Sequence, residues 1–321
     1  MSSLPEFTRL HALVRNANKI LLIADGKPDG DSLGSSSGFL NWLIREGKTA
    51  QADCAAPIPR SFSYLDGIHL FRNDATTFKE DWDLIITFDA GDLRHCGVEQ
   101  LLPQVTSTYT LVNIDHHATN ARYGQLNLVY VDACSTCEVV YRFLKAEEIR
   151  LDSAIATSLL TGILTDTSSF SNSATTSPGI EAASVLTSAG ARVNEVYHHL
   201  LQNKTIDGLR VWGLALSRLK YHPTYNIVTT YFFAKDLVGM SEEAVEGISN
   251  FLNASCGEAE VILVLRELPD GKIKGSMRSA KRDISKLAKL LGGGGHKKAA
   301  GFTINGRFEE TLKGLRVIST L

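Results

Sequence analysis

The chain alternates between short, continuous apolar runs and stretches whose apolar residues recur at helical spacing. Lys19–Asp25 (KILLIAD), Asp83–Asp92 (DLIITFDAGD) and Thr108–His117 (TYTLVNIDHH) are runs of the first kind, the pattern of parallel strands buried on both faces. After the first run, Phe39, Leu40, Leu43 and Ile44 repeat at helical spacing, and that helix is expected to end near Gly47. Further helices are expected from about Glu138, over about Ala154–Leu164, after Ser177 as N-cap with Pro178 at the first position, and over about Thr205–Leu219. Strands alternating with helices predict an α/β fold with a doubly wound, mainly parallel sheet. From Tyr225 the texture changes to alternating strands, and EVILVLRELPDGKIKGSMRS reads as a hairpin across Pro269–Gly271. A length of 321 residues suits two domains. The expected division is residues 1–190, a helical linker over 191–215, and a second, smaller α/β domain over 216–321.

Composition narrows the class. A net charge of −2 argues against a protein that coats long duplex DNA, and 44% hydrophobic residues allow a substantial core. The stretch MSSLPEFTRLHALVRN lacks the apolar run of a signal peptide. No apolar run approaches the ~20 residues of a membrane span, so a cytoplasmic protein without a membrane partner is expected. Five cysteines, an odd and sparse count, read as reduced thiols. Cys134 and Cys137 form a CxxC without the second pair a zinc ribbon needs. CSTCEVVYRFLK reads better as a helix start, with Ser135 and Glu138 as a capping box.

The candidate chemistry is positional. Asp29, Asp31, Asp89, Asp115 and His116 all fall just past the C-terminal ends of expected strands, the edge where open α/β sheets bind ligands. Asp25, Asp29 and Asp31 crowd into seven residues, where like charges repel unless a cation lies between them. Carboxylates with imidazole and no thiolate suit manganese, magnesium or similar divalent ions. Asp29 and Asp31 flank one glycine and can reach two adjacent cations; Asp89 can bridge these, and His116 and Asp166 can complete the second. Two cations about 3.5–4 Å apart clamp an in-line displacement at phosphorus. Any one of these acids is more commonly a helix cap or a solvated loop residue, but their shared position favours the metal reading. In the second domain, LGGGGHKKAAGF brings glycine N–H groups together with His296 and two lysines, and Arg278 ends a strand. That combination suits a phosphate or nucleotide clamp.

PDGDSLGS (Pro28–Ser35), FDAGD (Phe88–Asp92), DHH (Asp115–His117), GILTDTSSF (Gly162–Phe170) and GGGGHKKAAGF (Gly292–Phe302) together resemble the DHH phosphoesterase superfamily with a C-terminal DHHA1 domain. The length is similar to that of the nanoRNase and adenosine-bisphosphate phosphatase branch. The resemblance implies two manganese ions, with cobalt or magnesium as alternatives, in a cleft between the two domains. Asp29 and Asp89 would hold one ion, and Asp31, Asp89, His116 and Asp166 the other. Asp115 would orient the adjacent histidines, and His117 would lie near the scissile phosphate. Arg278, Ser279, Gly293, Gly294, Gly295 and His296 would grip the far part of the nucleotide. Relatives usually have histidine four residues before the first aspartate of DGD; here Asp25 occupies that place as a further candidate ligand that would retune the first site. The implied activity is manganese-dependent hydrolysis of short oligoribonucleotides to mononucleotides, and of adenosine 3',5'-bisphosphate to AMP. Short single-stranded DNA and small nucleotides are further partners, and a homodimer through the first domain is compatible with the resemblance. The alternatives are a phosphodiesterase of linear or cyclic di-adenylates, or a nucleotide-binding relative weakened at Asp25.

Overall fold

The computed structural model describes residues 4–201, 205–240, 242–245, 247–295, 297–311 and 314–318. It divides into two compact units, residues 1–203 and 204–321.

The first unit starts with helix α1 (Pro5–Asn16), whose Phe7, Leu10 and Val14 are buried. Strand β1 (Lys19–Ile23), helix α2 (Gly30–Arg45) and strands β2 (Thr49–Asp53), β3 (Phe71–Arg72), β4 (Leu84–Phe88), β5 (Thr110–Asp115) and β6 (Leu126–Val129) follow. Helices α3 (Thr136–Ala146), α4 (Ser153–Asp166), α5 (Ser177–Ser188) and α6 (Val193–Leu201) complete it. The strands form one six-stranded sheet in the order β3-β2-β1-β4-β5-β6, and every pairing is parallel. The order reverses between β1 and β4. The loops leaving those two strands diverge there, opening the crevice where such sheets take ligands.

Side-chain alternation along the strands sends two sets of residues to opposite faces. Ile20, Leu22, Ile86, Phe88, Val112 and Ile114 pack against the helices, in one core with Phe39, Trp42, Phe143 and Leu159. Leu21, Ile23, Ile85 and Leu111 face a smaller core closed by Phe78, Trp82, Cys96, Val98 and Leu102. Short 3₁₀ turns over Ala75–Lys79 and Leu102–Gln104 contribute to that second cover.

One expected capping box is incomplete and one expected cap is shifted. Ser135 does cap α3, accepting the Glu138 amide at 3.0 Å. The Glu138 carboxylate does not return to Ser135, however. It accepts the Cys134 amide at 2.7 Å and pairs with Arg142 at 2.6 Å, the stronger partner for a fully buried acid. The cap of α5 is Thr176 rather than Ser177, with its hydroxyl 3.1 Å from the Gly179 amide. All five cysteines are free thiols.

The second unit runs α7 (Ile206–Ser217), β7 (Lys220–His222), β8 (Ile227–Phe232), α8 (Ile248–Ser255), β9 (Val261–Glu267), β10 (Lys272–Arg278), α9 (Ser285–Leu290), β11 (Gly294–Gly295) and β12 (Ala299–Asn305). It ends in the β13 (Arg307–Thr311) and β14 (Gly314–Ile318) ribbon. Its sheet has the order β11-β12-β10-β9-β8-β7. The hairpin expected at Pro269–Gly271 joins β9 to β10, with Gly271 at φ 77°. One sheet face packs on α7 and α8 through Val228, Phe232, Ile262 and Val264. The other packs on α9 through Met277, Ala288 and Phe302.

A candidate metal centre at the carboxyl edge of the first sheet

Each predicted acid of the first unit lies where a backbone element fixes it. Asp29 is the N-cap of α2, its Oδ1 accepting the amides of Asp31 and Ser32, both at 3.0 Å. Asp31, in the first turn of α2, is fully buried and meets the N-terminus of α3 head-on. The amides of Thr136 and Cys137 donate to its two oxygens at 2.6 and 2.9 Å. This approach needs Gly162 in α4, because a Cβ there would lie 2.5 Å from Asp31 Oδ1 and 2.2 Å from Cys137 Sγ. Asp89 follows β4 directly, at a left-handed φ of 60°, and accepts the Thr136 hydroxyl at 2.9 Å.

Asp115 ends β5 and turns inward. Its Oδ1 accepts the amides of His116 and His117 (2.7 and 3.2 Å) and His117 Nδ1 (2.8 Å), and its Oδ2 accepts Asn120 Nδ2. Burial raises its pKa, but these donors outweigh burial and hold it below the ordinary value. His116 Nδ1 lies 3.3 Å from the Ala133 carbonyl, which makes Nδ1 the donor and leaves Nε2 facing the acids. Nε2 is 3.2 Å from Asp166 Oδ2, 3.8 Å from Asp89 Oδ1 and 3.9 Å from Asp31 Oδ2, yet this buried nitrogen makes no hydrogen bond.

The electrostatics of the cluster call for a positive charge. Burial, and then Asp166, push Asp31 up to about 7. Burial and the neighbouring acids Asp31, Asp29 and Asp166 raise Asp89 well above the carboxylate range. Burial opposes charge on His116, but Asp166 and Asp31 raise it to about 9. A buried imidazole nitrogen without a hydrogen bond, ringed by carboxylates that suppress one another's ionisation, fits a hard-to-borderline divalent cation. Asp31, His116 and Asp166 form one compact ligand group, and Asp89, His116 and His117 a second. His117 Nδ1 is already committed to Asp115, so its outward Nε2 is better disposed toward a ligand at the rim than toward the acids.

Asp25 and Asp29 stand apart from both compact groups. Asp25 Oδ1 accepts the Lys27 amide at 2.7 Å. Burial raises the pKa of both carboxyls; Asp29 adds to the rise at Asp25, and Asp166 to that at Asp29. In the second unit, Arg278 is half-buried, with Nε donating to Asn250 Oδ1 at 2.7 Å. The buried Ser279 hydroxyl donates to the Glu260 carbonyl and accepts the amides of Lys281 and Arg282, so it shapes the turn after β10. Gly293 and Gly295 press on β12: a Cβ would lie 2.1 Å from the Gly301 carbonyl at the first and 2.6 Å from the Ala299 carbonyl at the second. Gly294 is open. His296 lies outside the described residues. Thr136 and Asn120, which fix Asp89 and Asp115, escaped sequence reasoning, because a lone hydroxyl or amide gives no sign of which carboxylate it will meet.

The DHH family, N-terminal domain, matches residues 19–163, and the DHHA1 domain matches residues 229–317. A bifunctional oligoribonuclease and PAP phosphatase NrnA from Thermus thermophilus is 30% identical, over 90% of this chain and 86% of that protein. The chain belongs to the DHH family. As a DHH–DHHA1 protein it is a phosphoesterase; Asp31, Asp89, His116 and His117 of the cluster lie within the DHH match, and Asp166 lies just beyond it. The NrnA of Bacillus subtilis is 26% identical, covering 92% of this chain and 93% of its own. The same fold occurs in an exopolyphosphatase-related protein from Bacteroides fragilis, with TM-score 0.85, 22% identity and coverage of 96% and 92%. Among the described residues, no helix is long and apolar enough to cross a membrane.

Proposed function

We propose that this DHH protein hydrolyses short oligoribonucleotides to mononucleotides and adenosine 3',5'-bisphosphate to AMP, with manganese as its ion. The observation that carries the reading is His116 Nε2, buried without a hydrogen bond and facing Asp31, Asp89 and Asp166. The substrates follow the activities named for the NrnA relatives. Asp31, Asp89, His116 and Asp166 would hold one ion; Asp25, Asp29 and Asp89 would hold a second. Bound there, the ions would supply Lewis-acid activation of water and neutralise charge at phosphorus. The chain's own residues do the rest. Asp115 keeps the His117 ring turned so that Nε2 can donate to the phosphate or its leaving oxygen. Burial excludes bulk water from Asp31 and Asp89. Arg278 of the second unit is a candidate contact for a phosphate group. The free cysteines suit a reducing, cytoplasmic setting.

The direct test is a panel of RNA dinucleotide to pentanucleotide, the matching DNA, and adenosine 3',5'-bisphosphate, each with manganese, cobalt or magnesium. Mononucleotide release from RNA and phosphate release from the bisphosphate, strongest with manganese and lost on chelation, are expected. Failure with every substrate and ion would refute the reading.

Thr136 offers a second check, since Thr136→Val keeps the shape but removes the hydroxyl that holds Asp89. Manganese affinity, read by calorimetric titration, should fall about tenfold, the lower end for a lost supporting contact to a ligand. Equal affinity would exclude this hydroxyl from the site.

A further inference from the structure

Asp31 and Asp89 are held by donors to their carboxylates, two amides for the first and a hydroxyl for the second. Asp166 is the least enclosed of the three, its side chain 27% exposed against 0% and 6%. It is the last residue of α4, and a helix leaves its final four carbonyls without partners inside it. Here the Leu164 and Thr165 carbonyls accept the amides of Ser169 (2.7 Å) and Ser168 (3.1 Å), and the Thr167 carbonyl accepts that of Ser171 at 3.0 Å. The Asp166 carbonyl accepts Asn172 Nδ2 at 2.7 Å. The crossed amide bonds to Leu164 and Thr165 make a closure that usually has a left-handed glycine just past the helix. This chain has no glycine there: Ser168, Ser169 and Phe170 run consecutively at φ 48°, 57° and 65°. Other residues seldom adopt that region even singly, so such a turn persists only where its surroundings over-determine it. Phe170 is one anchor, packed partly into the main core with its amide 3.1 Å from the Thr167 hydroxyl. Asn172 is the other. Its Oδ1 accepts the Ala174 amide at 2.9 Å, which turns Nδ2 toward Asp166, and Nδ2 also reaches Ser168 Oγ at 3.3 Å.

We propose that Asn172 is a positioning residue for the ion site: by holding the left-handed turn closed on the end of α4, it sets the Asp166 carboxylate opposite His116 in advance of a cation. Asp166 as a cation ligand is taken from the proposed function; the turn and its hydrogen bonds are not. Without the carboxamide, Ser168, Ser169 and Phe170 relax toward right-handed or extended backbone and the last turn of α4 frays. Asp166 then leaves its place 3.2 Å from His116 Nε2. Binding requires the turn to be ordered first, and apparent affinity falls in proportion to the fraction of chains in which it is closed. The site, once assembled, is unaltered. Had the hydrogen bond served only to finish the helix, its loss would touch stability and leave the ion site as it was.

The test is calorimetric titration of manganese into the full chain without substrate, beside thermal scans in chelator. Asn172→Ala should bind manganese about tenfold more weakly. Its melting temperature in chelator should stay within about 2 °C of the parent's, since one exposed hydrogen bond is lost from a local turn. Asn172→Asp keeps the size and the acceptor for the Ala174 amide but cannot donate to the Asp166 carbonyl. It should weaken binding too, although an added carboxylate near a cation would by charge alone strengthen it. Ser168→Gly in the Asn172→Ala background should regain most of the loss, because glycine meets the left-handed backbone without strain. Turnover of Asn172→Ala at saturating manganese should stay within about twofold of the parent's.

Unchanged manganese affinity in Asn172→Ala would overturn the proposal, whatever the melting temperature does. So would tighter binding by Asn172→Asp, or a double variant with Ser168→Gly that binds no better than Asn172→Ala. Loss of about tenfold in turnover at saturating manganese would place Asn172 on the substrate instead, and would overturn it as well. The same titrations separate this reading from the proposed function. A parent that takes up no manganese removes the ion site and both readings with it. A parent that binds manganese and hydrolyses, with Asn172→Ala identical to it in both, removes the positioning role alone.

Discussion

Asp89→Asn should reduce turnover of any substrate by at least about a thousandfold, equivalent to about 4 kcal/mol of lost transition-state stabilisation. Asp89 stands at the reversal point of the sheet, 3.8 Å from His116 Nε2 and within reach of the Thr136 hydroxyl. An amide preserves its size and can still accept from that hydroxyl, but carries no negative charge for a cation. Asparagine is preferable to alanine here because φ is 60°. Asparagine tolerates the left-handed region, whereas a residue unsuited to it costs about 1–2 kcal/mol. The variant should be no less stable than the parent in chelator. Burial and the neighbouring acids raise the Asp89 pKa, so ionising this carboxyl in the folded state is unfavourable without a cation. Activity within tenfold of the parent, at equal thermal stability, would remove Asp89 from the reaction.

Much of this centre was legible in the linear sequence, and the reason is the parallel sheet. Strands buried on both faces read as unbroken apolar runs, so β1, β4 and β5 announced themselves, and the acids after them were fixed at one edge by topology alone. Strands β2 (TAQAD) and β6 (LNLV) gave no such signal, because polar residues interrupt them. The division of labour within the centre was less visible. Asp29 spends one oxygen on capping α2 while Asp31, two residues on, is wholly buried against α3. Spacing alone treats the two as equivalent. Helix α3 was expected from its cap, but the carboxylate its first amides would meet depends on how α2, α3 and α4 pack. The glycine loop shows the converse error. Two of its glycines, Gly293 and Gly295, are required by close contact with β12, so their presence says less about a ligand than their number suggests.

The same charges predict how divalent cations and pH act together on stability. Asp31 titrates near 7 in the folded chain instead of 3.8. A raised carboxyl contributes stability that is fully present below the unfolded pKa and is lost as pH rises through the folded one. His116, raised from 6.5 to about 9, contributes stability that is present below 6.5 and lost as pH climbs through about 9. In chelator, the first unit should therefore melt at progressively lower temperature from about pH 4 to pH 9. A cation needs these groups without their protons, so its stabilising effect should grow over the same interval. At a hundred times its dissociation constant, a ligand adds about 2.7 kcal/mol, or about 5–10 °C for a unit of this size. Thermal scans at pH 5 and pH 8, with manganese and with chelator, should show little separation at the lower pH and that full separation at the higher one. Asp31→Asn should flatten the pH dependence in chelator and shrink the response to manganese. Superimposable scans at pH 8 would mean that these carboxylates and His116 do not hold a cation, and the case for phosphoryl chemistry at this edge would fall with them.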